Sequence, residues 1–320
     1  MQPDRIIRTQ DVIDDDMVRQ LMERHVDSGQ YYGAHAAEKW AGISATHPMK
    51  SLQGVSLDAD AGTDPLCVVD LGPGSGKPCV AVTTGFRDRI ARIVCVDVLP
   101  AMAHQAAQEI RNQTGKTVQC IIADFLRDAD ELRREIGALP ERKVLLCLGG
   151  TVGNFRQRYI LSILRSLLGE RDRLLLGMGL YATGREKEVL DPFVRFLASE
   201  QNCAFGLSFL AACGHVPEYR NASAAWEDDP EESGVKVVRG YYTFPGPAVL
   251  TVGRQLVACA QGEQLQFVES RRYSRGGVEA FLQRHGLAVR ASTDLGIQGL
   301  FLCQKSEEGS ATGTWQAPQA

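Results

Sequence analysis

The sequence lacks the features that mark several classes of protein. No apolar run approaches the ~20 residues that a membrane span needs, and the amino terminus has no apolar stretch of the secretory type. Nine cysteines are present, but no two form a C-x-x-C pair, so the paired spacings of zinc sites are missing. We therefore expect a cytoplasmic protein with reduced, buried cysteines, no membrane partner and no bound metal.

An excess of positive charge is also missing. The chain has 35 basic and 39 acidic residues and a net charge of -4, so we expect no nucleic acid partner. Short arginine clusters such as Arg271-Arg272 are expected on solvated faces. The length of 320 residues suffices for one large domain or two modest ones. Composition leaves the oligomeric state open.

The most informative segment is a strand-like run that ends in an acid and three glycines. Asp70 closes an apolar run, and Gly72, Gly74 and Gly76 follow at alternate positions. Glycine is needed where the backbone turns sharply or lies against a ligand. A second apolar run ends at Asp97, where a carboxylate can accept both hydroxyls of a ribose. This pairing is typical of an adenosine cofactor in a doubly wound α/β fold.

The spacing of the glycines separates the possible cofactors. Dinucleotide enzymes use G-x-G-x-x-G, whereas this chain has D-x-G-x-G-x-G. That pattern resembles motif I of class I S-adenosylmethionine (SAM) methyltransferases. A dinucleotide site and a tight turn without any ligand are the alternatives. The resemblance favours SAM as cofactor and methyl transfer as the reaction.

Strand and helix signals alternate through the middle of the chain. Strands are predicted at residues 67–71, 93–98, 118–123, 143–148 and 174–178, with helices that include 101–113 and 156–168. This alternation predicts a doubly wound, mostly parallel sheet of the Rossmann-like type. Ligands bind beyond the carboxyl ends of such strands, where we expect the glycine turn, Asp97, Asp124 and the loop at 149–154.

Two regions break the alternation, which predicts a second α+β domain on the substrate side. Residues 183–269 combine a helix at 186–198, an irregular stretch at 213–234 and strands at 235–244, 248–257 and 264–267. A last helix at 278–286 and a strand at 300–304 are expected to rejoin the sheet. We predict a SAM-binding core of residues 62–182 plus 270–305, a substrate-side domain of residues 1–61 plus 183–269, and a disordered tail at 306–320.

The fourth predicted strand ends in a second glycine-rich segment, LCLGGTVGNF, whose last residue is Phe155. Asn154 within it offers a donor and an acceptor that suit an amine or a carboxylate, although asparagine after glycine is also a common turn residue. The segment resembles the L-G-S-T-I-G-N-F signature of the histidine Nα-methyltransferases of ergothioneine biosynthesis. Asp124-Phe125 resembles that family's D-F pair beside the adenine, and residues 270–273 resemble its S-x-K-F/Y run. The similarity spans roughly residues 30 to 304.

The resemblance implies a set of site residues. The expected cofactor-binding residues are Asp70, Gly72, Gly74, Gly76, Asp97, Asp124, Phe125 and Gly149. The expected substrate-binding residues are Asn154, His47, Val237, Val268 and Ser270. Asn154 and His47 are the catalytic candidates, because Asn154 would hold the substrate amine or carboxylate and His47 stands where the family has a tyrosine. His47 is mostly neutral at pH 7 and could act as a base; an ordinary loop histidine before a proline is the alternative.

The sequence departs from the family's pattern at positions that contact the substrate in the family. The glutamate that contacts the histidine imidazole in the family falls at Val268, and the family's methionine falls at about Val237. Glu269 would point to the other face of a strand, unless a one-residue gap changes the register. An unpaired buried polar edge costs ~1–3 kcal/mol, so this pocket disfavours histidine. Similar apolar pockets occur in relatives that act on tryptophan derivatives.

The sequence therefore predicts a SAM-dependent N-methyltransferase acting on the amine of an α-amino acid or an amino-acid-derived small molecule, in secondary metabolism. One alternative is a histidine Nα-trimethylating enzyme of ergothioneine biosynthesis with different pocket residues. Another is an inactive SAM-binding regulatory or partner subunit, against which the intact cofactor and substrate loops argue. The number of methyl groups transferred is left open.

Overall fold

The computed structural model describes residues 4–7, 10–26 and 63–306. Within these residues, eleven strands form one branched sheet and two more form a hairpin. The strands are β1 (Arg5–Ile6), β2 (Leu66–Leu71), β3 (Ile90–Asp97), β4 (Val118–Ile122), β5 (Arg142–Cys147), β6 (Arg173–Tyr181), β7 (Ala222–Asp228), β8 (Val235–Thr243), β9 (Ala248–Val252), β10 (Gln255–Cys259), β11 (Gln264–Ser274), β12 (Leu287–Asp294) and β13 (Gln298–Lys305).

The central part of the sheet is parallel. Its order is β1-β4-β3-β2-β5-β6, and every neighbouring pair in this series is parallel. β13 pairs with β6 in the antiparallel sense, and β12 pairs with β13. The structure thus confirms the predicted α/β class and its mostly parallel sheet.

Helices cover both faces of this parallel sheet. One face packs against the helices Ala129–Gly137, Gln157–Ser166 and Val278–Arg284. The other face packs against the helices Lys77–Thr83 and Pro100–Thr114. Alternate residues of β2 enter the two cores, which explains why its sequence is a continuous apolar run. The sheet is therefore doubly wound, as predicted.

An antiparallel arm of the same sheet, called the second sheet below, branches from the end of the core. Residues Tyr273 and Ser274 of β11 pair with the last two residues of β6, and β11 continues into β8 and then β7. The helix Glu186–Leu197 packs on one face of these strands. The short helices Glu200–Gly206 and Ser208–Ala212 follow it.

The amino-terminal helix Gln10–Met22 joins this second region. Its side chains Met17, Val18 and Leu21 enter an apolar core with residues of the 203–267 segment, and the Val26 N–H donates to the Gln266 carbonyl of β11 at 2.9 Å. Arg5–Ile6, in contrast, extends the core sheet beside β4. The domain boundaries stay a prediction, and the one set at residue 270 falls inside β11.

Several elements differ from the sequence-based expectations. The strand predicted at 248–257 is a hairpin, because Gly253 adopts a positive φ of 56° between β9 and β10. Both arms alternate buried and exposed residues, but the phase changes at the turn, from Leu250 and Val252 in β9 to Val257 and Cys259 in β10. β7 lies in the stretch expected to be irregular. β12 was not predicted, since most of its residues are at least partly exposed and it has no sustained apolar alternation.

All nine cysteines are buried and free, as expected. Among the described residues, no helix is long and apolar enough to cross a membrane. His47 lies outside the described residues, and so does most of the predicted 306–320 tail.

Candidate functional site

The glycine turn after β2 requires its glycines. Gly72, Gly74 and Gly76 all have positive φ angles, of 70°, 56° and 76°, which other residues rarely adopt. A Cβ on Gly76 would also lie only 2.7 Å from the Ala106 carbonyl oxygen of the next helix. The turn therefore packs closely against the helix Pro100–Thr114 and presents backbone, without side chains, at the carboxyl end of β2.

Asp70 supplies a buried acid beneath this turn. Its side chain is 1% exposed, and its Oδ2 atom has no hydrogen-bond partner among the described residues. Burial raises the pKa of Asp70 to about 7, an effect that a hydrogen bond from the Cys79 thiol reduces and the nearby Asp97 increases. An unsatisfied buried carboxylate oxygen is costly. It suits a ligand that brings a hydrogen-bond donor or a cationic group.

Asp97 ends β3 and is also buried. The Leu99 N–H donates to its Oδ1 atom at 3.0 Å, which holds the carboxylate at the tip of the strand. Burial raises its pKa to about 7, and the nearby Asp124 adds to the rise. Hydrogen-bond donors such as ribose hydroxyls would favour the charged form of this group.

Asp124 and Phe125 follow β4, on the far side of β3. Asp124 Oδ1 accepts from the Leu126 N–H at 2.9 Å, and its Oδ2 lies 3.8 Å from Arg127 Nε. Asp124 therefore also stabilises its own turn. The Phe125 ring meets the Phe155 ring edge-on at 6.1 Å, so this turn contacts the end of the second glycine-rich loop.

The loop at 149–154 lies against the first glycine turn. Gly149 and Gly150 have φ angles of 75° and 80°, and the Thr151 hydroxyl donates to the Leu148 carbonyl at 2.8 Å. A Cβ on Gly72 would lie 3.6 Å from the Thr151 methyl carbon. Asn154 is partly exposed, and its side chain makes no hydrogen bond to the described part of the chain. Its amide is thus available to a ligand.

The same loop contacts β11 on its other side. A Cβ on Gly153 would lie 2.8 Å from the Arg271 carbonyl oxygen, and Arg271 Nη1 donates to the Phe155 carbonyl at 2.7 Å. Ser270, the neighbour of Arg271 on β11, is therefore close to the loop that carries Asn154. This contact places the strand that carries Ser270 against the loop that carries Asn154.

The register of β11 with β8 decides which residues share a face. Ser270 lies opposite Val238, and Arg271 lies opposite Val237. Directly opposed residues of antiparallel strands point to the same side, so Val237 shares the face of Arg271. Val268 and Ser270 share a face with Val238 instead. The structure brings Val268 and Ser270 together and places Val237 on the opposite side of the sheet.

Glu269 is held in a buried ion-pair network. Its carboxylate lies 2.7 Å from Arg271 Nη1 and 3.3 Å from Arg239 Nε, and Arg271 also binds Asp229 at 2.6 Å. The expectation that the Arg271-Arg272 pair is solvated was wrong for Arg271, which is 4% exposed. Its partner Asp229 is 42 residues away, so the short sequence pattern could not reveal this burial.

Sequence reasoning also missed Arg272 as a residue of this region. Its Nη1 donates to the Ser270 hydroxyl at 2.9 Å, and its guanidinium carbon lies 3.8 Å from the centre of the Phe193 ring. The alternation of β11 beyond Ser270 was the signal that could have placed it on the face of Ser270 and Val268.

The segment that carries the glycine turn and the Asn154 loop matches a known protein family. The family described as "Histidine-specific methyltransferase, SAM-dependent" matches residues 50–191, a segment that contains all the predicted cofactor-binding residues and Asn154. No curated protein sequence matches the chain significantly.

Solved structures, two of them titled as methyltransferases, resemble the chain at low identity. The 1,6-didemethyltoxoflavin-N1-methyltransferase of Burkholderia thailandensis is 11% identical, with 85% of this chain and 89% of that chain covered and a TM-score of 0.36. The magnesium protoporphyrin IX methyltransferase of Synechocystis PCC 6803 is 14% identical, with 93% and 98% covered and a TM-score of 0.37. The protein PH0226 of Pyrococcus horikoshii OT3 is 13% identical, with 78% and 87% covered and a TM-score of 0.39.

The residues of the site fit SAM. The glycine turn presents backbone without side chains, Asp70 has an oxygen without a partner among the described residues, and Asp97 stands at the tip of β3. The resemblance drawn from the sequence is confirmed over the matched segment. The chain is a SAM-dependent methyltransferase whose residues 50–191 match the histidine-specific methyltransferase family.

Proposed function

We propose that this methyltransferase acts on the amine of an α-amino acid or of a small molecule derived from one, in secondary metabolism. The observation that carries the proposal is the position of Asn154. Its loop contacts the cofactor turn through Thr151 and contacts β11 through Gly153. An amide that is available between these two contacts can accept from a substrate amine or donate to a carboxylate.

The chain's own task is to orient the amine. SAM supplies an electrophilic methyl group on its sulfonium. The amine must approach with its lone pair aligned and without its proton, in a site that excludes water. We assign Asn154 to the orientation of the amine. His47 remains the proposed base, on the basis of the sequence alone.

The surroundings of Val268 support an apolar substrate side chain. Val268 packs against the apolar cluster that Val238 forms with Leu190 and Leu197 of the covering helix. Glu269, the neighbouring acid, is occupied by Arg239 and Arg271. These residues offer no carboxylate on the Val268 face, so a bound imidazole would have a ring nitrogen without a hydrogen-bond partner. A larger aromatic ring would instead gain from burial of its apolar surface.

Histidine is the second candidate, because the description of the matching family favours it. Competition between equal concentrations of histidine and tryptophan separates the two. We expect tryptophan or a similar apolar amino acid to be preferred. Val268→Glu should shift the preference toward histidine, because it restores an acceptor. A clear preference of the unaltered enzyme for histidine would contradict the proposed pocket.

Turnover with a panel of amino acids and the corresponding amines tests the proposed function. The purified chain is incubated with SAM and each compound, and mass spectrometry detects a mass increase of a methyl group on nitrogen. Methylation on oxygen or carbon would refute N-methylation. Binding of SAM without methylation of any compound would favour the regulatory-subunit alternative.

A further inference from the structure

Arg272 presents a guanidinium group beside the proposed substrate face. Nη1 donates to the Ser270 hydroxyl at 2.9 Å and to the Arg271 carbonyl at 2.8 Å. The Phe193 ring lies under the guanidinium carbon at 3.8 Å. A planar cation held by a ring and two hydrogen bonds has a defined orientation.

A glycine on the neighbouring core strand makes room for this side chain. A Cβ on Gly179 would lie 2.3 Å from Arg272 Cδ and 2.6 Å from Arg272 Nε. No residue with a Cβ fits at this position while Arg272 keeps its place. The arginine therefore lies over the carboxyl-terminal part of β6, where the core sheet meets the second sheet.

The charge of Arg272 has no counter-ion within the described part of the chain. The neighbouring arginines differ in this respect, because Arg271 binds Asp229 and Glu269, and Arg239 binds Glu227 and Glu269. Burial lowers the pKa of Arg272 to about 10, which leaves the group charged at neutral pH. A desolvated cation without an anion is unfavourable, so this position favours binding of an anionic group from outside.

We propose that Arg272 is the carboxylate anchor of the substrate and that it restricts the enzyme to α-amino acids with a free carboxylate. The guanidinium has five N–H donors, of which those beyond Nη1 can bind a carboxylate. Arg272 then binds the carboxylate of the substrate, and Asn154 binds its amine. This inference rests on the proposed function and names its substrate class more closely.

Pairs of substrates that differ only in the carboxylate test the proposal. The unaltered enzyme is assayed with L-tryptophan against tryptamine and with L-histidine against histamine. We expect the acids to be preferred. Arg272→Gln should lower kcat/KM for the acids by about tenfold to a hundredfold, as expected for a lost charge-assisted hydrogen bond, and leave the amines nearly unchanged. Arg272→Lys should retain part of the preference.

Two further variants separate anchoring from a structural effect. Arg239→Gln removes an arginine from the adjacent strand whose guanidinium already has carboxylate partners, and it should leave the acid-to-amine ratio unchanged. Gly179→Ala displaces Arg272 while keeping its charge and should lower the same ratio. Calorimetric titration with SAM verifies that each variant keeps its cofactor site.

The outcomes distinguish this inference from the proposed function. Equal loss on acids and amines in Arg272→Gln, or equal turnover of acids and amines by the unaltered enzyme, overturns the anchor and leaves N-methylation standing. Absence of turnover with all four compounds and with the wider amino-acid panel, while SAM still binds, overturns the proposed function and this inference with it.

Discussion

The environment of Asp70 and Asp97 in the folded protein is unfavourable for their charged forms. Both are buried at the ends of adjacent parallel strands, and burial raises the pKa of each to about 7. Folding thus desolvates two like charges within one site. A bound cofactor that donates hydrogen bonds and carries positive charge would offset this cost, in keeping with the role proposed for both acids.

Replacement of Asp97 by Asn should have opposite effects on stability and on binding. The folded pKa is raised from 3.8 to about 7, so the protonated carboxyl favours folding below about pH 4 and this contribution is lost as the pH rises through about 7. At about pH 8 the neutral amide should therefore raise Tm of the free protein by at least about 2 °C. Scanning calorimetry should show the difference shrink toward about pH 5.

The same variant should bind SAM more weakly, because an amide is a poorer acceptor for the ribose hydroxyls. We expect a loss of about 1.5–3 kcal/mol in calorimetric titration. Unchanged SAM affinity would refute the role of Asp97, whatever the change in Tm.

Asn154→Ala should separate substrate binding from cofactor binding. Because the Asn154 side chain has no hydrogen-bond partner in the described part of the chain, its removal should cost little stability. We expect kcat/KM for the substrate to fall by about tenfold or more and SAM affinity to stay nearly unchanged. An equal loss of SAM affinity would indicate that Asn154 only stabilises its turn.

At the scale of elements, β11 organises the site through its two faces. Glu269, Arg271 and Tyr273 point to one side, where Arg271 binds the Phe155 carbonyl and the Tyr273 hydroxyl donates to Gln157 at 2.5 Å. Ser270 and Arg272 point to the other side. The first face binds the segment that follows the Asn154 loop. The second face packs against Phe193 of the covering helix, beside the position proposed for the substrate.

The contact between the Asn154 loop and β11 can be tested with a single methyl group. In Gly153→Ala the Cβ would meet the Arg271 backbone oxygen at 2.8 Å, so the loop must move away from β11. We expect a lower kcat/KM and a loss of stability of about 1–3 kcal/mol in urea denaturation. Gly137→Ala, where nothing lies within 4 Å of the Cβ, is the matched control. Similar effects in both variants would contradict this account.

At the scale of the whole molecule, the amino-terminal helix is tied to the second sheet and to the core. Leu21 is fully buried in the core that it shares with Phe209 and Leu250. Asp16 of the same helix pairs with Arg127, which follows β4. The helix thus connects the proposed substrate-side region to the turn beside Phe125.

Leu21→Ala should test how much stability this connection contributes. Removal of a fully buried leucine leaves a cavity and should cost about 2–5 kcal/mol in urea denaturation. Met22→Ala changes the next residue, which is 69% exposed, and should stay within about 0.5 kcal/mol. A separate early transition in Leu21→Ala that leaves SAM binding intact would show that the two regions unfold independently.

The sequence alone determined the parallel core and predicted the outline of the cofactor site. Apolar runs that alternate with helical patterns, and glycines spaced for positive φ after Asp70, are local signals, so they can be read without knowledge of distant contacts. The positions of Asp97 and of the Asn154 loop follow from the same rule, because the carboxyl ends of parallel strands meet at one edge of the sheet.

Only the tertiary structure decided which residues face the proposed substrate. A bulge at Phe267 and the pairing with β8 put Val268 and Ser270 on one face and Val237 on the other, and a shift of one residue would reverse these faces. Arg271 and Arg272 look alike in the sequence but differ in their partners. The difference arises because Asp229, in the loop between β7 and β8, pairs with Arg271 in addition to Glu269 of the same strand. The local sequence around Arg271 does not show that Asp229 lies there.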